Sequence, residues 1–236
     1  MKFVIKKINK ALINHFGIPD RPKKLPDPLD IIIGTILSQN TNDKNSYKAF
    51  LNLKNSVKVW DDVLKMKPSQ VEKLIKVAGL GKQKSQAIIN LLKNLKKDNG
   101  RISLNHIKQK NDEEIIDELT SHKGIGVKTA SCVLLFALDR NICPVDTHVH
   151  RILNRIGIVK TATPEKTFYA IKNFIPEKSA HSFHTNLLRL GREYCTPTNP
   201  KCYDCPIESE CNYPDKNYSN KRTINKNDFF LLDSIK

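Results

Sequence analysis

The 236-residue chain is 39% hydrophobic and 27% charged, the composition of a soluble globular protein, and it is long enough to bury one large core or two small ones. No apolar run approaches the roughly 20 residues that cross a bilayer, which argues against a helical membrane span. Forty Lys and Arg against 24 Asp and Glu leave a formal charge of +16, and such an excess favours a polyanionic partner through release of condensed counterions. A nucleotide bias toward Lys, Asn and Ile codons produces the same excess without any function, so charge alone does not settle the partner.

The opening MKFVIKKINK is ambiguous between period-two and helical spacing. Lys6 and Lys7 interrupt its short apolar stretch, so it makes a poor signal peptide. A reducing, cytoplasmic setting is the expectation, and there cysteines serve more often as metal ligands or catalysts than as disulfides. RPKKLPDP (21–28) reads as a linker or rigid turn before a buried helix. Apolar residues then recur at three- and four-residue spacing over 29–38, 71–78, 85–95, 113–119, 128–138, 149–156, 165–174 and 179–192, which predicts helices. Short punctuators such as AGLGK, HKGIG and CPVD separate them, and the chain is expected to be all-α. From about residue 212 the tail is polar and basic, and Phe229, Phe230, Leu231 and Leu232 near its end are expected to dock on the body.

Several stretches carry chemistry. ILSQNTND (36–43) ends a predicted helix, so Gln39 and Asn40 read plainly as its C-cap. Leu80, in GLGKQKS, reads plainly as a core leucine. LTSHKGIGVKTASCVLLFAL reads as helix, tight turn, helix. Gly124 and Gly126 permit backbone angles that a Cβ makes costly and leave room for another molecule's backbone. The amides of the turn and of the next helix's first residues form a phosphate-binding nest at a positive helix end. Lys128, just past that turn, reads alone as one more surface lysine. Asp146 lies eighteen positions further on, where an aspartate N-caps the helix starting near His148.

CTPTNPKCYDCPIESEC spaces Cys195, Cys202, Cys205 and Cys211 as C-x6-C-x2-C-x5-C. Only the middle pair has the knuckle spacing of zinc sites. The pattern favours a 4Fe–4S cluster with one cysteine per iron; a zinc site and a pair of disulfides are the other readings. Cys132 falls in an apolar helix as a buried thiol, and neither it nor Cys143 belongs to the quartet.

G-x-G-x-K-T-A, then V-D-T-H-x-x-R, then the four-cysteine run, in that order, resembles the helix-hairpin-helix (HhH-GPD) DNA glycosylases, in particular the endonuclease III group. The resemblance covers about 28–211. It implies a two-lobed all-α fold: a six-helix barrel over 24–135 with the hairpin at 122–127, and a second helical domain of 1–23 plus 136–211. The cluster loop would occupy 195–211, with a basic tail over 212–236. It also implies a bifunctional base-excision-repair enzyme that removes oxidised or damaged pyrimidines. Lys128 would attack C1′ and form a Schiff base, and Asp146 would support the developing charge; abasic-site cleavage by β-elimination would follow. Members that only remove the base carry another residue, often tyrosine, at the position of Lys128. Gln39 or Asn40 would fill the space of an extruded nucleotide and Leu80 would wedge between bases. Lys123, Gly124, Ile125, Gly126 and Val127, with His148 and Arg151, would meet the DNA. The expected partner is duplex DNA bearing a damaged base or abasic site, bound by a monomer. A mismatch (G·T or G·U) glycosylase of the same fold and a non-catalytic hairpin module are the alternatives. The group commonly has Leu-Pro before the first hairpin glycine; here stand His122 and Lys123.

Overall fold

The computed structural model describes residues 1–219. Among these residues the chain is helical, and it divides into two compact units, one spanning Pro22–Asp139 and the other joining Met1–Arg21 to the chain from Arg140 onward.

The contiguous unit is built around α2 (Pro28–Ser38). Asp27 caps it by accepting from the Leu29 amide at 2.8 Å, and Pro28 supplies a pre-set φ at the first position. The helix is apolar all round, so it is buried all round: Ile31, Ile32, Ile33, Ile36 and Leu37 are each at most 1% exposed, and each such side chain contributes about 1.5–3 kcal/mol by leaving water. Its neighbours are α3 (Asp43–Asn55), α5 (Gly81–Asn99) and α7 (Val127–Cys132). An acid also stands on this helix. Asp30 is 8% exposed and accepts from Lys54 Nζ at 2.7 and 2.9 Å and from Trp60 Nε1 at 2.8 Å, so its charge is both paired and hydrogen-bonded. α4 (Pro68–Ile75) packs along α5, and α6 (Asp112–Thr120) starts with a capping box between Asn111 and Glu114.

The discontinuous unit closes α1 (Lys2–Phe16) against α10 (Ala180–Glu193). Ile5, Ile8 and Leu12 are fully buried, Asn9 Nδ2 donates to Ser182 Oγ at 3.1 Å, and Arg189 Nη1 donates to the Phe16 carbonyl at 2.9 Å. α8 (Thr147–Arg155) lies between α10 and α9 (Pro164–Ile171). Gly191 of α10 makes the close approach possible, since a Cβ there would stand 2.8 Å from that of His148.

Three differences from the sequence reading have clear causes. The ambiguous opening is the helix α1, whose Ile5, Ile8 and Leu12 follow helical spacing once its partner helix is present. α3 carries little apolar periodicity to mark it, because it is mostly polar and buries only Ser46, Ala49, Phe50 and Leu53. The helix expected over 128–138 is α-helical only to Cys132 and continues as a π-helical turn over Val133–Ala137. Phe229 to Leu232 lie outside the described residues.

Candidate DNA-repair site

α6 ends at Thr120, and the chain turns through Ser121–Gly126 into α7. Gly124 holds φ +92°, which an L-residue rarely adopts, and a Cβ there would also meet the Ala87 Cβ at 3.1 Å. Ile125 turns its side chain into the core at 5% exposure, and its amide donates to the His122 carbonyl at 3.0 Å. Gly126 precedes α7 with extended backbone and no side-chain cap. The amides of Gly126, Val127 and Lys128 take no acceptor among the described residues, so the opening of α7 presents free donors. Lys128 stands half-buried in that first turn. Of the two residues before Gly124, Lys123 is exposed while His122 is 8% exposed. Burial keeps the His122 imidazole below its ordinary value of 6.5, against the pull of Glu118 and Asp98. Of the pair that replaces Leu-Pro, only Lys123 thus brings charge to the surface.

Two further segments of the same unit share a pocket of about 580 Å³ with the hairpin's Lys123 and Gly124. One carries Gln39, the C-cap of α2, and Asn40, which takes a left-handed φ of 50°. Gln39 Nε2 donates to the Gly124 carbonyl at 3.4 Å. The other carries Leu80, also at φ 50° and 51% exposed. The core reading of Leu80 is thereby overturned: an apolar side chain is held in water by a strained backbone, an arrangement typical of functional positions.

Beneath both segments lies a residue the sequence reading passed over. Lys84 is only 2% exposed, where lysines ordinarily lie on the surface. Its signal was present, since Lys84, Ile88, Leu91 and Leu95 recur on one helical face, all buried.

In the other unit Asp146 caps α8, accepting the Val149 amide on Oδ1 at 2.8 Å. His148 is half-buried against Gly191, with Nδ1 3.2 Å from Arg151 Nη2, and burial lowers its pKa despite the carboxylate of Asp146. Arg151, expected at DNA, turns its guanidinium onto the protein: Nε and Nη2 donate to the Cys195 carbonyl at 3.0 and 2.8 Å, and Nη2 also donates to Gly191. Arg155 does likewise with the carbonyls of Thr196 and Pro197, at 2.7 and 2.8 Å, and with Cys195 Sγ at 3.3 Å, while stacking on Tyr213. Both arginines thus brace the cysteine loop.

None of Cys195, Cys202, Cys205 and Cys211 forms a disulfide. Burial pushes the Cys205 thiol up to about 12, and the neighbouring Cys195, Cys211 and Cys202 add to the rise. No group of three or more His, Cys, Asp or Glu among the described residues is close enough to hold a metal as it stands.

Comparison with known proteins places these features. Residues 33–177 match the family model described as HhH-GPD superfamily base excision DNA repair protein. Endonuclease III of Thermotoga maritima is 34% identical over 211 residues, covering 89% of this chain and 93% of the relative. A structure of a non-covalent endonuclease III–DNA complex superposes with TM-score 0.75 at 24% identity, covering 90% of this chain and 95% of that one. A thermostable thymine-DNA glycosylase follows with TM-score 0.73 at 23% identity, covering 89% and 96%. At these identities the structural likeness is one of fold.

Proposed function

The chain belongs to the HhH-GPD superfamily of base excision DNA repair proteins and is an endonuclease III-like DNA glycosylase, and from that premise we propose that it is bifunctional, excising damaged pyrimidines from duplex DNA and then cleaving the strand. The observation that carries this reading is Lys128, half-buried at the uncapped start of α7 directly after the hairpin. The neutral amine attacks C1′ of an extruded nucleotide, and the base departs with the electrons of the glycosidic bond. The sugar ring opens to an iminium linked to Lys128. Loss of a C2′ proton then expels the 3′ phosphate, and water hydrolyses the imine to free the lysine. Asp146 supplies a carboxylate whose orientation its capping bond fixes; it stabilises the cationic sugar and takes the proton from the attacking amine. The amides at the start of α7 and the charge of Lys123 hold backbone phosphates. Gln39, Asn40 and Leu80 enter the duplex.

The four thiols of 195–211 are the donor set of a 4Fe–4S cluster, and their chemistry fits it. They are unpaired, gathered in one loop, and mutually repulsive once ionised, which bound iron would offset. Bound there, the cluster serves as a staple for a loop with little regular structure. Anaerobically purified protein is expected to be brown with about four irons per chain; colourless protein holding one zinc would remove the cluster from this reading and leave the reaction intact.

Borohydride reduction in the presence of duplex carrying an abasic site is expected to trap a covalent adduct through Lys128. No adduct from intact, DNA-binding protein defeats the Schiff-base reaction. A panel of duplexes, each with one lesion, tests the substrate: preference for a thymine or uracil mispaired with guanine would replace damaged pyrimidines with mismatches.

A further inference from the structure

Lys84 occupies an unfavourable place by three separate criteria. It is 2% exposed, and lysines that deep are ordinarily paired with an acid. No acid pairs with it among the described residues: Nζ donates instead to the Leu37 carbonyl at 2.9 Å and the Ala78 carbonyl at 2.8 Å. It also stands in the first turn of α5, where the helix dipole opposes a cation. Burial lowers its pKa with no charged group as a cause in either direction.

What the ammonium gains is two carbonyls from two different segments. Leu37 lies in the last turn of α2, three residues before Asn40. Ala78 closes the 3-10 turn after α4, two residues before Leu80. Both Asn40 and Leu80 take left-handed backbone at φ 50°, both are exposed, and both line the pocket beside the hairpin. A charged donor bonds a carbonyl more strongly than a neutral one, and a side chain buried on a long helix is a rigid base. We propose that Lys84 is a positioning residue that clamps the Gln39–Asn40 segment and the Leu80 segment to one another, setting the spacing at which they enter the duplex. This rests on the reading that those two segments penetrate DNA.

The test uses the full-length protein with Lys84→Met, which keeps the length and loses the donors, and Lys84→Gln, which keeps a neutral donor. Two rates are measured on each preparation and taken as a ratio, so that any inactive fraction cancels. One is single-turnover base release from a duplex lesion. The other is borohydride trapping on a single-stranded abasic oligonucleotide, which requires no penetration of a stack. The ratio is expected to fall on the order of 10- to 100-fold in Lys84→Met, as for other misplacements of about an ångström, and less in Lys84→Gln. Fluorescence of 2-aminopurine placed opposite the lesion should lose its binding-induced rise. The double variant Lys84→Met/Leu80→Ala should lose less than the product of the two single losses. An unchanged ratio, or the full product in the double variant, overturns the proposal. Leu80→Ala and Asn40→Ala supply the control for its premise. If both keep the wild-type ratio, the penetration reading itself is lost. If both slow duplex release while Lys84→Met does not, only the clamp is lost.

Discussion

The starts of α7 and α8 are a matched pair with opposite treatment. α8 opens conventionally, with Asp146 taking the Val149 amide on its carboxylate. α7 opens at Gly126 with no capping side chain, free amides, and a lysine in its first turn. A capping side chain contributes about 1 kcal/mol, and a cation near a helix N-terminus gives some of that back. Stability alone would therefore select an Asp or Ser at 126 and an acid near 128. On the proposed reading the uncapped start keeps its donors for phosphate, whereas the capped start uses its own amide to aim a carboxylate.

Substitutions can break this contrast, the most severe first. Lys128→Ala should abolish the trapped adduct and slow strand cleavage by about 10³-fold or more, as losses of a covalent nucleophile do, while DNA binding is kept; a persistent adduct would move the nucleophile elsewhere. Asp146→Asn separates the two duties of that residue. Asparagine caps as well as aspartate, so the melting temperature should hold while base release falls about 10²- to 10⁴-fold. Equal stability with wild-type rates would reduce Asp146 to a cap. Gly126→Ala sharpens the α7 side. A Cβ there meets nothing within 4 Å and φ is negative, so unfolding free energy should fall by less than about 1 kcal/mol. The methyl would stand where phosphate approaches, and Kd for duplex DNA should rise about tenfold; unchanged affinity in a binding titration would argue that these amides do not meet DNA.

The smallest effect concerns the residue that begins the hairpin. Burial depresses the His122 pKa in the fold, so as pH falls through about 6.5 the unfolded chain takes up a proton that the folded chain resists. The stability from neutral His122 is thus present above that pH and lost as pH drops toward the depressed value. His122→Leu should flatten denaturation midpoints between about pH 7 and 5, and an unaltered profile would show that His122 is not a source of the acid sensitivity.

Legibility followed the nature of each residue's partner. Lys128 follows the hairpin turn and Asp146 caps α8, and spacings set by turns and caps survive in one dimension. The buried face of α5 was equally readable, but starting the helix at Ser85 rather than Gly81 left Lys84 off its apolar stripe. Its partners are main-chain carbonyls, which leave no trace in side-chain identity. Arg151 and Arg155 were hidden in the same way, because the carbonyls they hold belong to Cys195, Thr196 and Pro197. The left-handed conformations of Asn40 and Leu80 also escaped. Asparagine tolerates that region; leucine there carries a strain that only the surrounding fold explains.

The pairing of α1 with α10 sets a timetable for synthesis. Pro22–Asp139 leaves the ribosome as an unbroken segment and has all its internal partners once its last residue emerges. α1 emerges first, yet Ile5, Ile8 and Leu12 lack their cover until Ala180–Glu193 has been translated. A nascent chain therefore carries an uncovered apolar stripe until α10 has been made, the kind of exposed surface that invites aggregation during synthesis.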